Sequence, residues 1–287
     1  MNGLIPARKP AFRPPAGACD CHMHIYGPTD IYPPAPGSPF PPVKGGDIAT
    51  YLELRKVLGL TRAVVVQPSV YGFDNSATLD AMAVMGDDAR GVAVVPPDVS
   101  DAELERLTGL GIRGIRFFMI GGGVLGWDDL ERLAARTAAF GWHVQMQMDG
   151  RHLHEEEARL AALPGSLVID HNGKFLEPVS PDHEGFCALR RLIDRGRTWV
   201  KTSGVYETSR VGAPDYADVA VLARTLIETV PDRCLFATNW PHPSKPNALP
   251  DDARLLDLFA GWCGDEKTAA TIMVDNPATV YGFAPLP

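Results

Sequence analysis

The residues suited to chemistry in this chain are histidines, amides and basic side chains that follow short apolar runs. Residues 19–24 read Cys-Asp-Cys-His-Met-His. On a strand, side chains alternate, so Asp20, His22 and His24 are expected on one face, with Cys19 and Cys21 on the other as small packing residues against helices. Two imidazoles at this spacing can converge on one metal ion or one substrate oxygen. His171 ends the run Val-Ile-Asp-His-Asn-Gly, where an imidazole can move a proton or merely cap its own loop. Asn239 ends another run, and His242 lies beyond it in a proline-fixed turn. Arg116 sits in Gly-Ile-Arg-Gly-Ile-Arg-Phe-Phe. A guanidinium in so apolar a strand is costly unless it meets an anion, either a substrate carboxylate or Asp20, Asp149 or Asp170. Gln67, Tyr71, Asn75, Gln147, Lys174, Lys201, Tyr206 and Arg210 follow similar runs and are candidate substrate contacts.

Other histidines fit less well. His152 and His154 fall at the start of an expected helix, where residues two apart point about 200° away from each other, so both are read as surface groups. His143 opens its strand and His183 opens a helix, which places the first on the structural rim and leaves the second exposed.

The elements that must position these groups follow from hydrophobic periodicity. Runs at 18–26, 62–68, 90–95, 112–118, 142–148, 166–171, 198–203 and 234–239 read as strands. Amphipathic stretches at 47–58, 74–85, 101–110, 127–140, 151–163, 181–195, 215–229 and 251–262 read as helices, several opened by an Asp or Ser suited to an N-cap. Strict alternation calls for parallel pairing through right-handed crossovers. Eight such units predict a closed (β/α)8 barrel, with an open doubly wound sheet as the alternative if one strand is miscounted. In a barrel, chemistry sits at the C-terminal strand ends, where the candidates fall. An extended arm at 1–17 precedes the barrel domain at 18–287. The proline-rich segment 28–42 can be neither helix nor central strand and is expected to cover the barrel mouth.

Composition narrows the partners. The 287 residues carry 27 Lys and Arg against 35 Asp and Glu, a net charge of −8, which argues against nucleic acid or an anionic membrane as the main partner. A small anion in a locally positive pocket stays compatible with that charge. Five cysteines are too few for a disulfide scaffold, the N-terminus has no secretory apolar core, and no apolar run is long enough to cross a bilayer. A cytoplasmic protein is expected.

The motifs DNSATLDA, GIRGIRF, VIDHNG and NWPHP, with the opening His-x-His, resemble the amidohydrolase superfamily. Within it they are similar to the 2-pyrone-4,6-dicarboxylate lactonase branch, over residues 16 to 283. DHNGKF, GVYETSR, ATNWPH and PDDARL are closer still to the D-galactarolactone isomerases of that branch. The resemblance implies a barrel whose catalytic groups are His22, His24, His171 and Asn239. Metal-dependent members pair His-x-His with a strand-five His and a strand-eight Asp. Here strand five ends in Gln145-Met-Gln147 and strand eight in Asn239. Only His22, His24 and His171 remain to hold an ion such as zinc, so no metal or other cofactor is expected. Asn cannot take a proton at neutral pH, whereas the carboxylate at this place in the lactonases serves as the base for water. The expected activity is therefore interconversion of the 1,5- and 1,4-lactones of an aldarate such as galactarate. The alternatives are hydrolysis of a carboxylated lactone, with or without metal, and a sugar-acid-binding barrel that has lost catalysis.

Overall fold

A computed structural model describes residues 3–245 and 247–285; residues 1, 2, 246, 286 and 287, the outer ends of the expected arm and barrel among them, lie outside the described residues. Each expected strand forms: β1 (Cys19–Met23), β2 (Arg62–Val66), β3 (Ala89–Ala93), β4 (Ile112–Phe118), β5 (His143–Gln147), β6 (Leu167–Ile169), β7 (Thr198–Thr202) and β8 (Cys234–Phe236). They pair in chain order, every ladder parallel. The ends meet at the C-terminal rim, where His24 N–H donates to Trp240 O and Asn239 N–H to His22 O, both at 2.8 Å. The open-sheet alternative is excluded by this closure, and the fold is a (β/α)8 barrel.

The crossover helices are α1 (Ile48–Leu58), α2 (Ser76–Met85), α3 (Asp101–Gly109), α4 (Trp127–Ala138), α5 (Leu153–Ala162), α6 (Glu184–Asp194), α8 (Ala217–Thr229) and α9 (Asp252–Cys263), with a short α7 (Val205–Thr208) after β7. Asp47, Ser100 and Asp251 cap α1, α3 and α9 by accepting backbone N–H bonds. Beyond α9 no element is expected from periodicity, because single turns carry no readable period. There α10 (Glu266–Ala270), a π-helical turn and α11 (Asn276–Tyr281) bring the chain back under the barrel. Arg62 and Arg90, near the strand starts, stack their guanidiniums over Phe283 at 5.1 and 4.7 Å from the ring centre.

Two departures from the expected strands shape the site. The runs at 166–171 and 234–239 stop pairing after three residues, and their tips turn into the left-handed region. His171, Asn172, Lys174, Asn239 and His242 all have φ between 52° and 63°. Non-glycine residues adopt this conformation at a cost, and such residues gather where a site holds side chains in fixed directions.

The second departure is in β1. Asp20 aligns with Ala63 but Met23 with Val65, so Cys21 and His22 together face Val64 across a β-bulge. Alternation therefore fails. Cys19 and Cys21 pack inside the barrel with Val64, Val66, Val92, Val168 and Leu235, not against the helices. Asp20 points outward instead, accepting from Tyr51 of α1 at 3.1 Å and from the Thr238 hydroxyl at 2.6 Å. His22 and His24 still point inward, because the extra residue restores the phase.

The proline-rich segment has neither helix nor strand. Ala35 N–H donates to Val70 O at 2.8 Å, and Phe40 meets Phe118 edge-on with centroids 5.8 Å apart. No described helix is long and apolar enough to cross a membrane.

Candidate active site

A cavity of about 380 Å³ opens at the C-terminal rim. His24, Arg116, Gln147, His171, Lys174 and Asn239 line it, joined by Phe40 and Pro41 of the proline-rich segment. Its cations are Arg116, Lys174 and Lys245, and Glu207 is the one carboxylate among its described lining residues. The local charge is thus opposite to that of the whole chain.

Arg116 is buried at the end of β4. It donates to Gln67 O at 2.9 Å and to Gln147 Oε1 at 3.1 Å, while its Nε has no partner. None of the carboxylates anticipated for it is free. Asp20 is held by Thr238 and Tyr51, Asp149 pairs with Arg151 at 2.6 Å, and Asp170 lies 3.3 Å from Lys201 Nζ. Arg116 is therefore a desolvated cation without an ion-pair partner among the described residues, on the wall of a cavity. An incoming carboxylate supplies what it lacks.

Beneath the cavity lies a buried polar layer. Lys201 Nζ has no exposed surface and donates to Gln145 Oε1 at 2.6 Å. It stands 3.2 Å from His22 Nδ1 and 3.3 Å from Asp170 Oδ1, two atoms themselves 3.3 Å apart. Burial opposes the Asp170 charge, but the Lys201 ammonium beside it outweighs this and holds the carboxyl well below its usual range. His22 Nε2 lies 3.1 Å from His24 Nε2, and His24 Nδ1 lies 2.7 Å from Val66 O. These partners orient the protons: His24 donates from Nδ1 to the carbonyl, His22 donates from Nε2 to His24, and Lys201 donates to His22 Nδ1. His171 contacts Ser203 Oγ through Nδ1 at 2.9 Å. Among the described contacts its Nε2 makes no hydrogen bond, which leaves that atom to the cavity.

Burial keeps these imidazoles neutral. It lowers the pKa of His22, with Lys201 adding to the effect, and takes His24 to about 3 and His171 to about 4. His22, Asp170 and His171 offer ligand atoms within 4.8 Å of one another. Two of them, His22 Nδ1 and Asp170 Oδ1, already bracket Lys201 Nζ, so this donor set does not suit a divalent cation while that lysine is in place.

Behind Asn239 runs a second chain. Asn239 Nδ2 donates to Tyr206 Oη at 2.9 Å, Tyr206 Oη lies 2.7 Å from His242 Nδ1, and His242 Nε2 lies 3.0 Å from Asp252 Oδ2. Tyr206 and His242 are thus spent on Asn239 and do not line the cavity. Nor do Gln67, Tyr71 and Asn75, whose side chains bond loop backbone: Gln67 to Asp74 O, Tyr71 to Gly27 N–H, and Asn75 to Val94 O. Arg210 points to solvent and pairs with Glu177 at 3.2 Å. His152 and His154 sit beside Glu155 on the surface, His183 caps α6 half-buried, and His143 is buried against Tyr281.

Glu207 was not among the residues singled out from the sequence. It lies in α7, ion-paired with Lys174 and bonded to Ser244. Burial raises its pKa, but the Lys174 ammonium, with the Ser244 hydroxyl, more than reverses this, to about 2. Gly204, at φ 70°, makes the turn that returns Glu207 to the cavity; a Cβ there would stand 3.1 Å from the His171 ring. A carboxylate between Tyr206 and Arg210 in a strand-end loop was the available signal.

A parallel eightfold barrel with imidazoles, amides and cations at its C-terminal rim is the architecture of a barrel enzyme. The chain belongs to the amidohydrolase family, whose model matches residues 19–283. It is 38% identical to D-galactarolactone isomerase of Agrobacterium fabrum (strain C58), covering 100% of this chain and 97% of that protein. It is 36% identical to a 2-pyrone-4,6-dicarboxylate hydrolase of Comamonas testosteroni, covering 95% and 92%. An apo crystal structure of an Agrobacterium tumefaciens protein superposes with a TM-score of 0.91 at 35% identity, covering 99% of both chains.

Proposed function

We propose that this protein is a lactone isomerase that interconverts the 1,5- and 1,4-lactones of an aldarate such as galactarate, without a metal or other cofactor. The observation that carries this reading is the amide of Asn239 in a cavity whose one carboxylate among the described lining residues, Glu207, is already paired with Lys174. The carboxylate base that would activate water is not on offer, since the Asn239 amide cannot take a proton at neutral pH and Glu207 is held by Lys174, which leaves His171 to move protons. A hydroxyl of the substrate itself is tethered near the carbonyl, and such proximity lowers the barrier by as much as about 7 kcal/mol or more.

In this mechanism the free carboxylate of the lactone pairs with Arg116, supported by Gln147. Lys174 and Glu207 hold substrate hydroxyls. The 4-hydroxyl attacks C1, passing its proton to His171 Nε2. The tetrahedral intermediate then expels the ring oxygen, which takes the proton back as the 5-hydroxyl. Bonds and protons balance with no water consumed. Asn239 Oδ1 accepts from a substrate hydroxyl, and the proline-rich segment covers the bound lactone through Phe40 and Pro41. Similarity to the galactarolactone isomerase supports the substrate class, and five free cysteines suit the reducing, cytoplasmic compartment that belongs to this reading.

The test is to supply galactaro-1,5-lactone and follow products by NMR, with and without a chelator. The 1,4-lactone should appear ahead of free acid, at the same rate in both. Direct formation of acid, abolished by chelator, overturns the reading in favour of a metal-dependent lactonase. Binding without any conversion identifies a sugar-acid-binding barrel.

A further inference from the structure

Lys201 has no part in gripping the substrate, since it lies wholly beneath the cavity floor. Its surroundings are nevertheless those of a cation site. Two imidazoles and a carboxylate gather there, with His22 Nδ1 and Asp170 Oδ1 3.3 Å apart, a separation suited to two ligands on one tetrahedral ion. The positive charge between them is supplied by the chain itself. Lys201 Nζ is 3.2 Å from the first atom and 3.3 Å from the second, and Gln145 Oε1 accepts from it at 2.6 Å. Gln145 also donates to Asp170 Oδ2 at 3.1 Å, so the amide braces both members of the ion pair.

We propose that Lys201 is a built-in cation that takes the place of a divalent metal between His22 and Asp170, and that its removal turns the His22–Asp170–His171 cluster into a metal site. The ammonium neutralises Asp170 without opening a coordination position, and by donating to His22 Nδ1 it fixes the tautomer that donates onward to His24. A divalent ion held by the same two atoms would lie against this ammonium among fully buried side chains, where like charges repel strongly. With a small neutral side chain at 201, Asp170 loses its counter-charge, and two imidazoles with a carboxylate form a donor set for a borderline divalent ion such as Co²⁺ or Zn²⁺. This inference rests on the metal-free reading of the site, but it is tested separately from it.

The experiment uses the full chain with Co²⁺, whose visible absorption reports tetrahedral or five-coordinate binding. After equilibration and gel filtration, the unaltered protein should retain no cobalt. Lys201→Ala and Lys201→Ser, checked for native circular dichroism, should each retain about one cobalt per chain. That ion should be lost again when His22→Ala is added. Folded variants that bind no cobalt overturn the role of Lys201 and leave the metal-free mechanism standing. Cobalt bound by the unaltered protein, and lost in His22→Ala, overturns the proposal even if the Lys201 variants do not fold. The chelator arm of the lactone assay then decides whether the metal-free mechanism fails with it.

Discussion

The amide nitrogen of Asn239 lies 2.9 Å from the hydroxyl oxygen of Tyr206, and this contact determines which end of the amide the cavity sees. Asp252 accepts from His242 Nε2, so His242 Nδ1 carries a lone pair and accepts from Tyr206. The Tyr206 oxygen is then the acceptor for Asn239 Nδ2–H. With Nδ2 turned to Tyr206, Oδ1 is the end of the amide that can accept a hydrogen bond from a substrate.

Tyr206→Phe breaks this chain while leaving the ring in place. The unpaired amide can turn, and kcat should fall by about one to two orders of magnitude, as expected for losing a buried hydrogen bond of about 1–3 kcal/mol. Steady-state kinetics with circular dichroism checks this. A lowered melting temperature with kcat within a factor of two of the original would reduce Tyr206 to a packing residue.

Arg116→Gln removes the unpaired guanidinium from the cavity wall. Losing a desolvated partner of a carboxylate costs about 2–5 kcal/mol, so kcat/KM should drop at least thirtyfold, mostly through KM. Arg116→Lys should recover only part of this, because an ammonium cannot form the planar two-point contact. Full recovery by lysine would contradict two-point binding of a carboxylate.

His171→Ala should lower kcat by about two to four orders of magnitude, the usual worth of a proton-transfer group, whereas His152→Ala on the surface should have little effect. Equal losses in both variants would remove His171 from the chemistry.

The pH dependence follows from burial. His24 and His171 titrate in the folded protein at about 3 and about 4, below the ordinary histidine value of 6.5. Both stay neutral through the physiological range, so kcat should show no limb between pH 6 and 8 arising from them. Because the folded values are depressed, the unfolded chain binds more protons between the two limits. Their stabilising contribution is present above pH 6.5 and is lost as the pH falls towards 4. Urea midpoints should therefore drop between pH 7 and pH 4.5. A kcat limb near pH 6.5 that disappears in His171→Ala would show this histidine to be solvated instead.

Hydrophobic periodicity is a local property, and the sequence by itself was enough to show the eight strand–helix units and their parallel order. Because barrel chemistry belongs at strand ends, it also brought out His24, Arg116, Gln147, His171, Lys174 and Asn239, which the fold gathers around one cavity. Direction within that rim was not legible. Lys201 near the end of β7 and Arg210 in the loop that follows are both cations, yet one is sealed under the floor and the other faces solvent. The inward turn of Glu207 depends on the left-handed Gly204, and the inward face of His22, beside an inward Cys21, on a one-residue bulge. Both are settled by how β1 pairs with β2 and how β7 leads into its loop. Such pairings join residues far apart in the chain, and only the closed barrel, by bringing those segments together, decides which side chains share a site.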